Sequence, residues 1–492
     1  MGDLGLTAKM HSKQHSSQSS TRQDIVHLSI LLAIALCIGI YLISTTVIIS
    51  RDGVLFIEYA KSFGSTPVET MLGSDHHPGY PVMILAAHKM AGLFAENGPV
   101  FGWIYSAQSV ALVFRLLAVG VLYFIGKDLV GPRFSFWGVL IIVLLPKSAE
   151  YGSDALSDWP HFFFLATGFF LLLRGATHRK LVLFALAGIA AGLGYLVRPE
   201  CGQLLIYGFL WLGLQFFAKR TWARSESAFA AVLLVLGFLM VAGPYMRLKA
   251  SPLPKKSISI HDVADFRGSS TAEALVKLGG NIGDTLEWFF VPAWIIGLYG
   301  YFRKTSLYKA QQFLVIVFVV LNVALMIWLY TKHSYMDKRH TLPIVLFTIY
   351  YIPMGIEALA SWLQNIKSKT GKWATRNKDL VFSVLMAIGI AVCIPQLLKP
   401  LNQKKLFLRK AAQWLRKNTD KDDLIAVSHP RIVFYAQRRG TNYDEQACRK
   451  GAKYAITVPG DISLGGNDAP PWHVVFSLES DDKKSRVVIY KK

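Results

Sequence analysis

Apolar residues along most of this chain do not alternate with charge. They run in blocks close to the length of a bilayer crossing, at roughly 25–49, 104–126, 133–146, 157–173, 181–197, 203–218, 227–246, 285–302, 311–330, 342–363 and 380–398. A helix needs about 20 apolar residues to cross the hydrocarbon core. The block 133–146 is short and is closed by Pro146 and Lys147, since proline ends or bends a helix. The stretch 78–94 is apolar too, but His88 and Lys89 interrupt it, so it reads as an interfacial or re-entrant helix. The pattern predicts a polytopic α-helical membrane protein of about eleven transmembrane helices.

The flanks read differently. Residues 1–24 are polar and rich in Ser and Gln, which predicts a disordered cytoplasmic tail. The run from Ile25 to Ser50 is too long for a signal-peptide core and reads as a retained first span. Residues 25–398 form the membrane domain, with a first outer loop over 50–103. From Lys399 to Lys492 the pattern becomes that of a small extracytoplasmic α/β domain. Leu406–Arg416 predicts an amphipathic helix and Arg431–Arg438 a shorter one. Leu424–Ser428, Tyr454–Val458, Val474–Leu478 and Arg486–Tyr490 predict strands, with turns at 440–442 and 464–467. No Gly-rich phosphate loop and no internal repeat is visible.

Composition sharpens this picture. The chain has 492 residues, 53% hydrophobic and 17% charged, a balance foreign to soluble domains. Its net charge of +22 could suggest nucleic acid, but the basic residues gather in short loops. These are Lys127–Arg133, Arg174–Lys180, Lys219–Glu226, Arg303–Lys309 and Lys367–Lys378. That is the positive-inside signature. It puts the N-terminus inside and the C-terminus outside, with no nucleic-acid partner. Cys37, Cys201, Cys393 and Cys448 are scattered, without zinc or redox spacing.

The same topology gathers ionisable residues on the outer face: Asp52, Glu58, Asp75, His76, His77, Glu150, Asp154, Asp158, Arg198 and Glu200. The loop Arg247–Asp284, with its Ser251–Lys256 opening, and the turn Thr331–His340 join them. Charge at a membrane surface is costly unless it works or is paired, so the set predicts an interfacial pocket. Asp52 suits a general base, and it could also cap a helix over Gly53–Phe63. Asp75, His76 and His77 leave a divalent metal open, although adjacent ligands do not easily wrap one ion. Arg198 and Glu200 could form a pair across Pro199. Arg115, inside a span, calls for an acidic partner.

Five pieces, in order, carry a resemblance: Arg51-Asp52-Gly53 with Tyr59-Ala60, His76-His77-Pro78-Gly79-Tyr80-Pro81, Leu156-Ser157-Asp158, Val197-Arg198-Pro199-Glu200, and Asp337-Lys338-Arg339-His340-Thr341-Leu342-Pro343. Over roughly 25–365 the chain resembles the GT-C glycosyltransferases that use polyprenyl-phosphate sugars, in the branch of protein O-mannosyltransferases and lipid A aminosugar transferases. The resemblance implies a place in the inner (cytoplasmic) membrane and an inverting transfer on its outer (periplasmic) face, with Asp52 as base. It implies Lys338, Arg339 and Arg198 as donor-phosphate ligands, and Asp75, His76, His77, Tyr80, Asp154, Asp158, Glu200 and His340 as positioning residues. Partners would be a polyprenyl-phosphate sugar donor, a lipid, glycan or protein acceptor, and membrane lipids. The family often has two adjacent acids where this chain has Asp52-Gly53, which leaves any metal unassigned. The alternative is a transporter or flippase of a lipid-linked or anionic solute, which would favour charge at mid-membrane.

Overall fold

The computed structural model describes residues 3–93, 100–218, 222–250, 269–303, 309–368, 378–442, 451–458, 472–480 and 486–492. Helix α1 (Asp3–Ser44) is followed by an extended stretch and three short helices, α2 (Arg51–Ser65), α3 (Pro67–Gly73) and α4 (Gly79–Gly92). The membrane body follows as α5 (Phe101–Val130), α6 (Pro132–Leu144), α7 (Pro146–Tyr151), α8 (Asp158–His178), α9 (Leu181–Val197), α10 (Gln203–Ala218) and α11 (Arg224–Lys249). It continues through α12 (Thr271–Thr285), α13 (Val291–Phe302), α14 (Ala310–His333), α15 (Lys338–Thr348), α16 (Tyr351–Ser368) and α17 (Lys378–Leu397).

Among the described residues six helices are long and apolar enough to cross a membrane, or seven if α15 and α16 count as one bent span. Helices α6, α9 and α13 are apolar but shorter. The protein is thus a multi-pass membrane protein, although these criteria alone do not give the expected eleven spans. Helix α4 has 14 residues, too few to cross.

Several expected boundaries move, each for a local reason. The tail expected to be disordered over 1–24 is helical from Asp3, and no Gly or Pro interrupts the chain between Leu6 and Ile38. The first helix stops at Ser44 rather than near 49, where the β-branched run Thr45–Ile49 begins; such residues lose side-chain freedom in a helix. The expected span 285–302 is broken, because Glu287 and Trp288 take left-handed backbone angles (φ 54° and 53°) before Pro292 starts a new helix. The expected span 342–363 is bent by 63° between α15 and α16. Pro353 has no N–H to give the Ile349 carbonyl one turn earlier.

Close helix contacts depend on glycine. A Cβ on Gly297 in α13 would overlap the Tyr351 carbonyl, and one on Gly355 in α16 would overlap the Ala293 carbonyl. Helices α9 and α11 meet in the same way through Gly188 and Gly237. Small residues let membrane helices pack backbone to backbone.

The C-terminal domain contains α18 (Leu406–Asn418), β1 (Leu424–Val427), α19 (Pro430–Ala436), β2 (Arg439–Asn442), β3 (Tyr454–Thr457), β4 (His473–Glu479) and β5 (Arg486–Lys491). The sheet order is β2-β1-β3-β5-β4. β1 pairs in parallel with β2 and β3, and β5 pairs antiparallel with β3 and β4. The expected turn at 440–442 is instead strand β2, four residues too short and polar to show alternation. Leu408, Leu415, Ile425, Ile432, Ile456 and Ile489 form the core of this domain, joined by Ile48 from the segment after α1. The expected turn at 464–467, Cys448 and the Ser251–Lys256 loop opening lie outside the described residues.

Candidate active site

Helix α2 starts where the β-branched run ends. Ser50 caps it by accepting from the Gly53 N–H at 3.2 Å, so Asp52 is free of the capping role and sits in the first turn. Asp52 Oδ2 instead accepts from Arg339 Nη1 at 2.6 Å, across 287 residues of chain. Arg339 is on the first turn of α15, not in the preceding turn. There Asp337 caps the helix by accepting from the Lys338 N–H at 2.6 Å, while His340 Nδ1 accepts from the Asp337 N–H at 3.2 Å. Tyr335 lies 3.4 Å from Arg339 Nη2, and Asp337 lies 3.7 Å from Arg339 Nε.

A second pair stands behind the first. Arg198, at the end of α9, donates to Asp158 Oδ1 at 2.9 Å and to Ser157 Oγ at 3.1 Å. The expected Arg198–Glu200 pair is therefore replaced by Arg198–Asp158, because Asp158 opens α8 beside the Arg198 guanidinium. Asp158 is 0% exposed and Arg198 19%. Removing one partner of such a buried pair strands the other's charge. Lys338 makes a third pair, 2.6 Å from Asp284. Each candidate phosphate cation thus faces a carboxylate.

The loop 75–81 divides its residues. Gly79 has to be glycine, because a Cβ would meet the Leu196 carbonyl at 2.7 Å; this contact seats the loop against the end of α9, next to Arg198. His76 is half-buried against Phe56, with ring centroids 5.2 Å apart. His77 is buried between Tyr195 and Tyr245, and Asp75 is exposed. The three therefore do not converge on one point, and no group of three or more His, Cys, Asp or Glu gathers among the described residues. Tyr80 is buried and donates to the Ala107 carbonyl at 3.0 Å, a packing position rather than a substrate-facing one. Glu58 pairs with Lys61 on its own helix at 2.8 Å and does not fold back on Asp52. Glu200 is exposed.

Asp154 and Asp158 have different surroundings. Asp154 lies before α8, buried. Its Oδ1 accepts from the Ser50 and Ala155 N–H groups at 3.1 and 2.7 Å, and its Oδ2 from Asn402 Nδ2 at 3.3 Å. It braces the backbone instead of facing the pocket. Arg115 is fully buried and donates to the Val143 carbonyl at 2.7 Å, not to the expected acid.

Electrostatics separate the two acids. Burial pulls the Asp52 carboxyl up, but the Arg339 hydrogen bond and the charges of Arg339, Arg198 and His76 outweigh it and hold the pKa below its ordinary value. Asp52 is therefore ionised at neutral pH. Burial raises Asp154 to about 6 despite the two N–H groups that favour its anion. A carboxyl raised in the folded state contributes stability at low pH, where it is protonated in both states. That contribution is lost as pH rises from about 4 through about 6. Asp154→Asn should remove this dependence. The wild-type melting temperature should fall across the window relative to the variant by the equivalent of roughly 2–3 kcal/mol. Parallel melting curves at pH 4 and pH 7 would refute it.

Sequence reasoning missed Ser157, Tyr335 and Asp284 as partners of the cations, and Asn402, Arg409, Arg431 and Tyr435 near Asp52. Ser157 lies within a quoted motif, Tyr335 two residues before another, and Asp284 at the end of an outer loop, so all three were within reach of the sequence. The last four lie in a domain whose sequence gives no sign of the contact.

With this geometry in hand, comparisons define the class. Residues 100–245 match the family described as dolichyl-phosphate-mannose-protein mannosyltransferase. No curated protein matches the chain. Among solved structures, ArnT from Cupriavidus metallidurans bound to undecaprenyl phosphate is similar over 94% of this chain and 97% of its own, with TM-score 0.61 and 13% identity. The Archaeoglobus fulgidus oligosaccharyltransferase is similar over 88% of this chain and 69% of its own, with TM-score 0.56 and 12% identity. AglB from the same organism, in complex with an inhibitory peptide and a dolichol-phosphate, gives 0.55 at 9% identity. This chain is thus a multi-pass membrane protein with the GT-C fold that ArnT and the archaeal oligosaccharyltransferase share.

Proposed function

We propose that the protein is an inverting glycosyltransferase. It moves a sugar from a polyprenyl-phosphate donor to an acceptor hydroxyl at the outer face of the cytoplasmic membrane. The observation that carries this reading is the Asp52–Arg339 pair, a base and a phosphate-type cation 2.6 Å apart with Arg198 in electrostatic reach. Transfer needs a carboxylate to take the acceptor proton as the oxygen attacks the anomeric carbon. It also needs a cation to receive the departing phosphate. Guanidinium groups grip phosphate through two parallel N–H bonds, and Arg339 and Arg198 supply them, with Lys338 as a point charge. In the free protein Asp52 occupies Arg339. A donor phosphate entering the site takes that guanidinium and leaves Asp52 free to act as base. Attack from the face opposite the phosphate gives inversion in one displacement.

Support comes from the three carboxylate–cation pairs that involve Arg339, Arg198 and Lys338 and from the fold shared with ArnT, whose structure holds undecaprenyl phosphate. Membranes containing the protein, given a panel of labelled polyprenyl-phosphate sugars, are expected to transfer label from at least one donor and release the lipid phosphate. If every donor stays intact while a lipid-linked sugar crosses the bilayer, the glycosyltransferase reading fails.

A further inference from the structure

Residues 46–50 link α1 to α2 and have no helix or strand partner of their own, yet nearly all their backbone polar groups are paired. The Val47 N–H donates to the Leu401 carbonyl at 3.1 Å. Arg409 Nη1 donates to the Val47 carbonyl at 2.8 Å, and Asn402 Nδ2 to the Ile48 carbonyl at 2.9 Å. The Ile49 N–H donates to the Tyr435 hydroxyl oxygen at 3.0 Å, and Arg431 Nη1 donates to the Ile49 carbonyl at 3.3 Å. Asp154 accepts from the Ser50 N–H and also from Asn402, tying the two segments together. Side chains agree with the backbone. Ile48 belongs to the core of the C-terminal domain, while Ile49 belongs to the core of the helix bundle. Neighbouring residues thus face opposite sides, as in an extended strand.

We infer that the C-terminal domain is a positioning element for Asp52. Asn402, Arg409, Arg431 and Tyr435 grip the backbone of 46–50, from which α2 and its carboxylate project. The inference rests on the reading of Asp52 as base. Ser50, the last gripped residue, caps α2 through the Gly53 N–H, so a shift of the segment passes directly to Asp52. A misplacement of about 1 Å at a reacting group can cost about a hundredfold in rate. These four are positioning residues; the domain contributes alignment and need not touch substrate.

The test uses the full-length protein with Tyr435→Phe and Arg431→Gln combined, Arg431→Lys as the conservative variant, and Asp423→Asn as control. Asp423 pairs with Lys453 elsewhere in the same domain. Sugar transfer gives kcat and donor KM, and amide hydrogen exchange reads the 46–50 segment. The combined variant should lower kcat roughly ten- to hundredfold with donor KM unchanged, and the amides of Val47, Ile49 and Ser50 should exchange faster. Arg431→Lys should retain most of kcat, and Asp423→Asn should match wild type in both readouts. Faster exchange with unchanged kcat would overturn the inference, as would an equal kcat loss in Asp423→Asn. If the wild type transfers no sugar, the reading of Asp52 as base fails and takes its positioning with it. Exchange then still reports on the grip itself, and unchanged protection of 46–50 in the combined variant would show that the grip is absent as well.

Discussion

Asp52→Asn should reduce kcat for sugar transfer by roughly 10²–10⁴-fold, the usual worth of a general base, with donor binding retained. The substitution keeps the size of the side chain and a carbonyl oxygen able to accept from Arg339, so α2 and its Ser50 cap remain as they are. What disappears is the negative charge that takes the acceptor proton. Arg339 keeps Asp337 and Tyr335 nearby, and loss of the competing carboxylate leaves its guanidinium more available to phosphate. Donor affinity should therefore hold or tighten while chemistry slows, a pattern that separates a base from a binding residue. Single-turnover transfer alongside donor binding makes the distinction. Wild-type rates in Asp52→Asn would remove the base from this position.

The second large effect is structural. Gly297→Val should prevent a stable fold, because the new side chain would have to enter the space of the Tyr351 carbonyl and force α13 away from α16. Overpacking a core commonly costs about 1–3 kcal/mol where side chains can yield. Here the obstacle is backbone, and the reciprocal contact of Gly355 with Ala293 is lost in the same movement. Gly300, on the same helix with nothing within 4 Å of an added Cβ, should accept alanine without loss. Yield of monodisperse protein and its melting temperature compare the two. A stable, monodisperse Gly297→Val protein would show that the helices can separate at little cost.

Much of this architecture was legible in the sequence because it follows from local rules. Apolar blocks located the long helices, and alternation located four of the five strands of the C-terminal domain. Strand β2 escaped notice because Arg-Gly-Thr-Asn carries no alternation and is held by its neighbour β1. The break before α13 and the bend before α16 escaped because an apolar run looks the same on either side of a missing hydrogen bond. At the site, the residues gathered from separate motifs included Asp52, Arg339, Arg198, Asp158 and Lys338, which the structure brings into three ion pairs. Their pairing was not legible, because the partner of a charge depends on how helices far apart in sequence pack together. Asp154 and Tyr80 looked like pocket residues by position and proved to be turned into the packing. The sequence places a residue on an element, but not the direction in which the element faces.

The shared ownership of Ile48 sets an order of events during synthesis. The first helix and the Asp52 loop leave the ribosome before the domain whose core receives Ile48. Chains mature from the N-terminus, domain by domain. A partly synthesised chain would already carry Asp52 without the side chains that grip the backbone of 46–50. The alignment of residues 46–50 would then arrive in one step, when that domain closes over Ile48.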